Sequence, residues 1–91
     1  MKIEIEVKDL GKTINAINRA INSYSHYRVA CIFGLEEENI PGSILIFLQK
    51  KADEKFGNHN SDSIKTIIDE DLSYLMEIYD QLIEIEKEEN N

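Results

Sequence analysis

The chain begins with a strict alternation of apolar and charged side chains. Ile3, Ile5 and Val7 occupy one set of alternate positions, and lysine or glutamate occupies the other set. A period of two residues is typical of a β-strand that is covered on one face only. The pattern therefore predicts a first strand over residues 2–8.

After residue 8 the apolar period changes to three and four residues, which is typical of an amphipathic helix. Asp9 is a suitable N-cap for this helix, and the pattern predicts that it ends near Ser25. The apolar stripe consists of Leu10, Ile14, Ile17, Ile21 and Tyr24.

The segment 27–35 is rich in β-branched and aromatic residues, and it ends at Gly34, close before the acidic residues 36–38. This composition predicts a second strand, more buried than the first.

Two interpretations are open for the next segment. Residues 41–43 contain a proline and a glycine that favour either a hairpin into a strand over 44–48 or the start of a helix. We favour the helix, because its apolar residues recur every four positions and Gly57 is a suitable C-terminal residue. The stripe of this helix is Ile44, Leu48, Ala52 and Phe56.

A polar loop over 58–61 precedes a long final helix, for which Ser61 or Asp62 is the expected cap. Its apolar residues, centred on Leu75, cover about 160° of the helix circumference, which is wider than the seam of a two-stranded coiled coil. Asp71 and Glu86 fall inside this arc, so each needs a basic partner such as Arg19 or Arg28, or an exposed edge. So wide an arc predicts a helix that needs cover on more than one side. The opposite side carries a row of acids, here called the acidic ridge: Asp69, Glu77, Asp80, Glu84 and Glu88.

Together these elements predict an α+β fold formed by one domain over residues 1–91. The expected order is β-α-β-α(or β)-α, with a small two- or three-stranded sheet packed against helices and a long acidic C-terminal helix. Because so small a sheet leaves strand edges exposed, we expect a homodimer that forms through a strand edge or the last helix.

The net charge adds a constraint on partners. The 91 residues carry a formal charge of −8. Residues 1–61 hold eight acids and eight bases, whereas residues 62–91 hold ten acids and two bases. An acidic C-terminal third repels nucleic acids and anionic membranes, so we expect direct contact with neither.

The sequence shows little catalytic chemistry. His26, Cys31 and His59 lie in different predicted elements without metal-ligand spacing, and the isolated glycines match no phosphate-binding loop, so we expect no metal, cofactor or enzymatic activity. The single cysteine has apolar flanks and indicates a buried thiol in a reducing compartment, the cytoplasm. Because residues 2–8 alternate and the longest apolar run is Ile44 to Leu48, we expect neither secretion nor membrane insertion.

Three functions remain under consideration. We favour a non-enzymatic inhibitor whose acidic ridge docks on a basic, nucleic-acid-binding protein, by analogy with small phage anti-defence and anti-CRISPR proteins or immunity proteins. One alternative is an oligomer that binds a small nucleotide ligand. Another is a metal-dependent helical hydrolase that uses carboxylate pairs such as Glu77 with Asp80 or Asp80 with Glu84. The nucleotide site would contain Tyr24, His26, Tyr27 and Arg28.

Overall fold

The computed structural model describes residues 7–89, and this part of the chain contains helices and no strand. The predicted α+β fold with a sheet is therefore wrong for the described residues. Residues 2–6 of the predicted first strand lie outside them, and Val7 already belongs to a helix. The four helices are α1 (Val7–Ile32), α2 (Glu36–Asn39), α3 (Gly42–Phe56) and α4 (Ser61–Glu89).

Helix α1 continues through most of the segment that was predicted to be the second strand. Tyr27, Ala30 and Cys31 are buried while Val29 and Ile32 are exposed, so burial follows the helical period rather than strand alternation. The β-branched and aromatic composition of this segment expresses only a weak preference, which packing overrides. At the other end, Asp9 lies inside the first turn of α1 and not at its cap.

Helix α1 ends at Ile32, well beyond the predicted end near Ser25, and a glycine forms its C-terminal cap. Gly34 adopts a positive φ of 69°. Its backbone N–H donates to the carbonyl oxygen of Cys31 at 3.1 Å, and the N–H of Leu35 donates to that of Ala30 at 2.8 Å. This pair of hydrogen bonds is a Schellman motif, which favours a residue without a Cβ at the positive-φ position.

The helical interpretation of the third element is confirmed. Helix α3 ends at Phe56, and Gly57 is its C-cap. The φ of Gly57 is 75°, and its N–H donates to the carbonyl oxygen of Asp53 at 2.9 Å. Leu48 and Ala52 of the predicted stripe are fully buried, whereas Phe56 remains 40% exposed.

Helix α4 begins one residue after its observed cap. The side-chain Oδ1 of Asn60 accepts a hydrogen bond from the backbone N–H of Ser63 at 2.9 Å. Asn60, rather than the predicted Ser61 or Asp62, therefore caps the helix.

Helices α1 and α4 form an antiparallel pair. Arg28 near the end of α1 contacts Asp69 near the start of α4, and Leu10 packs with Leu82 at the opposite end. The described residues measure 47 × 23 × 19 Å along their principal axes. The molecule thus has an elongated shape in which α3 covers only part of α4.

The core has two parts. At the end where α1 finishes and α4 begins, α1, α3 and α4 bury one cluster together; this is the three-helix end. Along the rest of the pair, the two-helix end, the buried residues of the described part of the chain are Leu10, Ile14 and Leu82. The partly buried apolar residues around that smaller cluster are Ile17, Ile78, Tyr79, Ile83 and Ile85.

None of the helices in residues 7–89 combines the length and apolar character that spanning a membrane requires.

Candidate docking surface on helix α4

Asp69 of the acidic ridge faces α1 and is neutralised there. Its Oδ1 accepts a hydrogen bond from Nε of Arg28 at 2.6 Å, and its Oδ2 accepts one from Nζ of Lys65 at 2.9 Å. Burial alone would raise the pKa of Asp69, but these hydrogen bonds and the two positive charges outweigh it and lower the pKa. Asp69 is therefore committed to contacts within the protein, and we exclude it from the candidate surface.

The next two acids face α3 and are also paired. Glu70 forms an ion pair with Lys55, and Oδ1 of Asp71 lies 3.8 Å from Nζ of Lys51. Asp71 thus finds a basic partner as the sequence requires, but the partner comes from α3 and is neither Arg19 nor Arg28. All three acids over 69–71 have a cation beside them.

The acids further along α4 have a different environment. We call Glu77, Asp80, Glu84 and Glu88 the acidic face; all four side chains are exposed. Within residues 7–89 the structure gives only Glu84 an ion pair, with Lys87 at 3.8 Å, and both of these side chains are largely exposed. Residues 73–89 contain six acids and one base, so this segment carries a charge of −5.

A strip of mostly apolar side chains, which the described helices cover only in part, runs beside the acidic face. We call Tyr74, Ile78, Gln81 and Ile85 the open seam. Ile67, which lies seven residues before Tyr74 and so on the same side of the helix, is 3% exposed at the three-helix end, whereas Tyr74 is 54% exposed. The difference arises because α3 packs on this side of α4 only at the three-helix end.

Contacts within the protein engage the four residues of the alternative nucleotide site. Tyr27 is buried against the ring of Tyr24, at 5.6 Å between centroids, and the exposed His26 lies edge-on to the ring of Tyr27 at 6.5 Å. Arg28 is held by Asp69. Burial, together with the negative charge of Asp71, raises the pKa of Tyr24.

Two open depressions lie at the three-helix end. One is lined by Phe56, Asn58, Asp62, Ser63 and Thr66, and the other by residues 31–34 and 60–62. Tyr24, His26, Tyr27 and Arg28 line neither depression. Neither of these two depressions therefore brings a ligand to the four side chains.

Cys31 has the environment of an unreactive thiol. It is 4% exposed, and burial together with the nearby Glu36 carboxylate raises its pKa to about 11. Glu36 in turn accepts a hydrogen bond from the hydroxyl of Ser61 at 2.6 Å. Because the thiolate is the reactive form, Cys31 has little nucleophilic character near neutral pH.

The candidate metal ligands are not brought together. His59 lies after α3 and contacts Asp53, at 2.8 Å between Nδ1 and Oδ1, while His26 and Cys31 belong to α1. Over residues 7–89, no three or more histidine, cysteine or acidic side chains converge as a metal site would require. Glu77, Asp80 and Glu84 share one exposed helix face, and within the described part of the chain they do not converge as metal ligands would.

Comparison of the chain with protein-family models, with curated proteins and with solved structures gives no match. The functional argument therefore rests on the surface of α4 itself.

Sequence reasoning found the acidic face but not the open seam. The signal for the seam was present in the spacing: Ile67, Tyr74 and Gln81 recur every seven residues, as do Asp71, Ile78 and Ile85. Two adjacent series with this period mark a strip along the helix that is suited to packing against a neighbour. The sequence did not reveal where α3 stops covering this strip.

Proposed function

We propose that this protein is a non-enzymatic binding protein whose acidic face attaches to a basic surface of another protein. The target surface is one that normally binds nucleic acid, and occupation of that surface by the acidic face blocks it. The unpaired, buried Cys31 supports a reducing compartment, the cytoplasm, as the place of action.

The observation that carries the proposal is the contrast between the two ends of α4. At the three-helix end, the acids over 69–71 are matched by cations. At the two-helix end, the acidic face lies exposed over about three helical turns, and Lys87 is its one ion-pair partner among residues 7–89.

The helix itself does not favour this arrangement. Acids in the last turns of a helix interact unfavourably with its macrodipole, by about 0.3–1 kcal/mol each. Glu88 lies in the last turn of α4 together with Glu86 and Glu89, where cations would be more stabilising. A role outside the protein, namely attraction of a basic surface, explains their position better than stability does.

The test compares three immobilised proteins in a lysate of the native host. The wild type is set beside a site variant (Glu77→Lys, Asp80→Lys, Glu84→Lys) and a control variant (Glu37→Lys, Glu38→Lys, Glu54→Lys). All six side chains are exposed, and each triple substitution changes the formal charge from −8 to −2. Circular dichroism verifies that both variants remain helical.

We expect the wild type and the control variant to retain the same basic protein and the site variant to lose it. Equal retention by all three proteins would contradict the proposal, because the acidic face would then be unnecessary. Equal loss from both variants would also contradict it, since total charge rather than the position of the acids would determine binding.

A further inference from the structure

The open seam and the acidic face together continue the surface that α3 occupies on α4. Glu70, which pairs with Lys55 of α3, is followed at seven-residue spacing by Glu77 and Glu84. Asp71, which pairs with Lys51 of α3, is followed at the same spacing by Ile78 and Ile85. Among the described residues, one side of α4 is thus covered by α3 over its first part, and α3 does not extend over the rest.

Helix α3 shows what kind of element fits this side of α4. Its buried residues Leu45, Leu48 and Ala52 belong to the same core cluster as Ile67 and Ile68 of α4. Its flanking lysines, Lys51 and Lys55, pair with Asp71 and Glu70. The fit therefore combines an apolar stripe with bases four residues apart on one edge.

The part of this side of α4 that α3 does not cover is long enough for a second helix of the length of α3. From Tyr74 to Glu88 the helix axis extends about 21 Å at 1.5 Å per residue. Helix α3 contains 15 residues, which correspond to about 22 Å.

We propose that the open seam and the acidic face form a docking site for a basic amphipathic helix of the partner protein, lying on α4 in line with α3. The apolar side of this helix contacts Ile78 and Ile85, and its lysines or arginines pair with Glu77 and Glu84. This inference rests on the proposed function and identifies the element of the partner that is bound.

Charge favours such a helix over a second copy of this chain. Each copy carries −8, and residues 73–89, which border the seam, carry −5. Two copies brought together along this side would place like charges near one another, whereas a basic helix supplies the cations that Lys51 and Lys55 supply at the three-helix end.

The test uses a fluorescent 15-residue peptide as the probe. The peptide keeps Leu45, Leu48, Lys51, Ala52 and Lys55 of α3 at their native spacing and has alanine, glutamine or lysine elsewhere. A matched acidic peptide replaces its lysines by glutamate. Binding to the full chain is measured by fluorescence anisotropy at low salt, and the mass of the protein alone is measured by sedimentation equilibrium.

Three variants locate the site. Ile78→Asp alters the seam, and the pair Glu77→Lys with Glu84→Lys alters the acidic face. The control, Ile46→Asp, places the same charge on an apolar side chain of α3 that is 67% exposed and faces away from the core. Because Ile78→Asp also affects packing, Ile78→Ala serves as a milder second variant, and circular dichroism verifies that each protein is folded.

We expect the basic peptide to bind and the acidic peptide not to bind. The Glu77 and Glu84 reversal and Ile78→Asp should each weaken binding about tenfold or more, Ile78→Ala should weaken it less, and Ile46→Asp should leave it unchanged. Binding that depends on the acids but not on Ile78 would overturn the helix-docking inference and leave the proposed function standing. Binding independent of the acids would count against both, and a mass of twice 10.5 kDa that Ile78→Asp returns to 10.5 kDa would show that a second copy covers the seam.

Discussion

Because the three-helix end and the two-helix end are packed differently, we expect one leucine-to-alanine substitution in each core to lower the free energy of unfolding by a different amount. Leu48 and Leu82 are both 0% exposed, so Leu48→Ala and Leu82→Ala remove the same buried atoms. Leu48 lies in a cluster built from three helices, whereas among the described residues the buried neighbours of Leu82 are Leu10 and Ile14.

The expected magnitudes follow from how far each site can relax. Leucine-to-alanine substitutions in protein cores cost about 2–5 kcal/mol, and the larger values accompany cavities that do not collapse. Leu48 is enclosed by three helices, so we expect a loss of about 4 kcal/mol. The partly exposed side chains around Leu82 can move into the space, so we expect a loss of about 2 kcal/mol there.

Equilibrium unfolding in urea, followed by helical circular dichroism, measures both free energies of unfolding. The total for a domain of this size is roughly 5–10 kcal/mol, so both variants should remain folded in water. A loss at Leu82 equal to or larger than that at Leu48 would refute the reasoning, because it would show that Leu82 is enclosed as tightly as Leu48.

Three further predictions concern single residues. Gly57→Ala should destabilise the protein by about 1 kcal/mol in the same urea assay, since a φ of 75° is unfavourable for alanine. No atom lies within 4 Å of the added Cβ, so a steric clash does not contribute, and an unchanged stability would contradict this backbone argument. At pH 8, folded protein should react with a thiol reagent at least about a hundredfold more slowly than urea-unfolded protein, because burial raises the pKa of Cys31 from 9.0 to about 11; similar rates would show that the thiol is accessible. The lowered pKa of Asp69 means that its ion pairs with Arg28 and Lys65 stabilise the fold above the unfolded-state pKa and lose this effect as pH falls through the folded-state pKa. Asp69→Asn should therefore flatten the acid side of the stability profile, and an unchanged profile would argue against the pairing.

The periodicity of apolar residues was sufficient to predict most of the helices of the fold. The stripe from Leu10 to Tyr24 predicted the first helix, the four-residue spacing before Gly57 predicted α3, and the wide apolar arc predicted a final helix that needs cover on more than one side. That cover exists over 64–72, where α1 and α3 both pack on α4.

The wrong prediction of a sheet came from short segments in which composition and periodicity disagree. Residues 27–35 contain enough β-branched and aromatic side chains to resemble a strand, yet the preceding helix continues to Ile32 because Tyr27 and Cys31 pack in the core at helical spacing. A local preference of this kind is weak compared with the burial of the Tyr27 and Cys31 side chains.

The candidate surface was predictable only in part. The sequence placed Asp69 in the same acidic row as Glu77 and Asp80, but pairing with Arg28 depends on a contact between residues 41 positions apart. The ion pairs of Glu70 and Asp71 with lysines of α3 were also not predictable, because the sequence does not specify how α3 lies on α4.

The most direct test of the central claim is the salt concentration at which a captured basic partner leaves the immobilised protein. Exposed charges are screened over about 10 Å at 0.1 M salt, so this concentration reports the strength of the electrostatic contact. We predict the same high value for the wild type and for the Glu37, Glu38 and Glu54 control, and release at markedly lower salt from the Glu77, Asp80 and Glu84 variant. Release of the partner at one common salt concentration from all three proteins would contradict the assignment of binding to the acidic face.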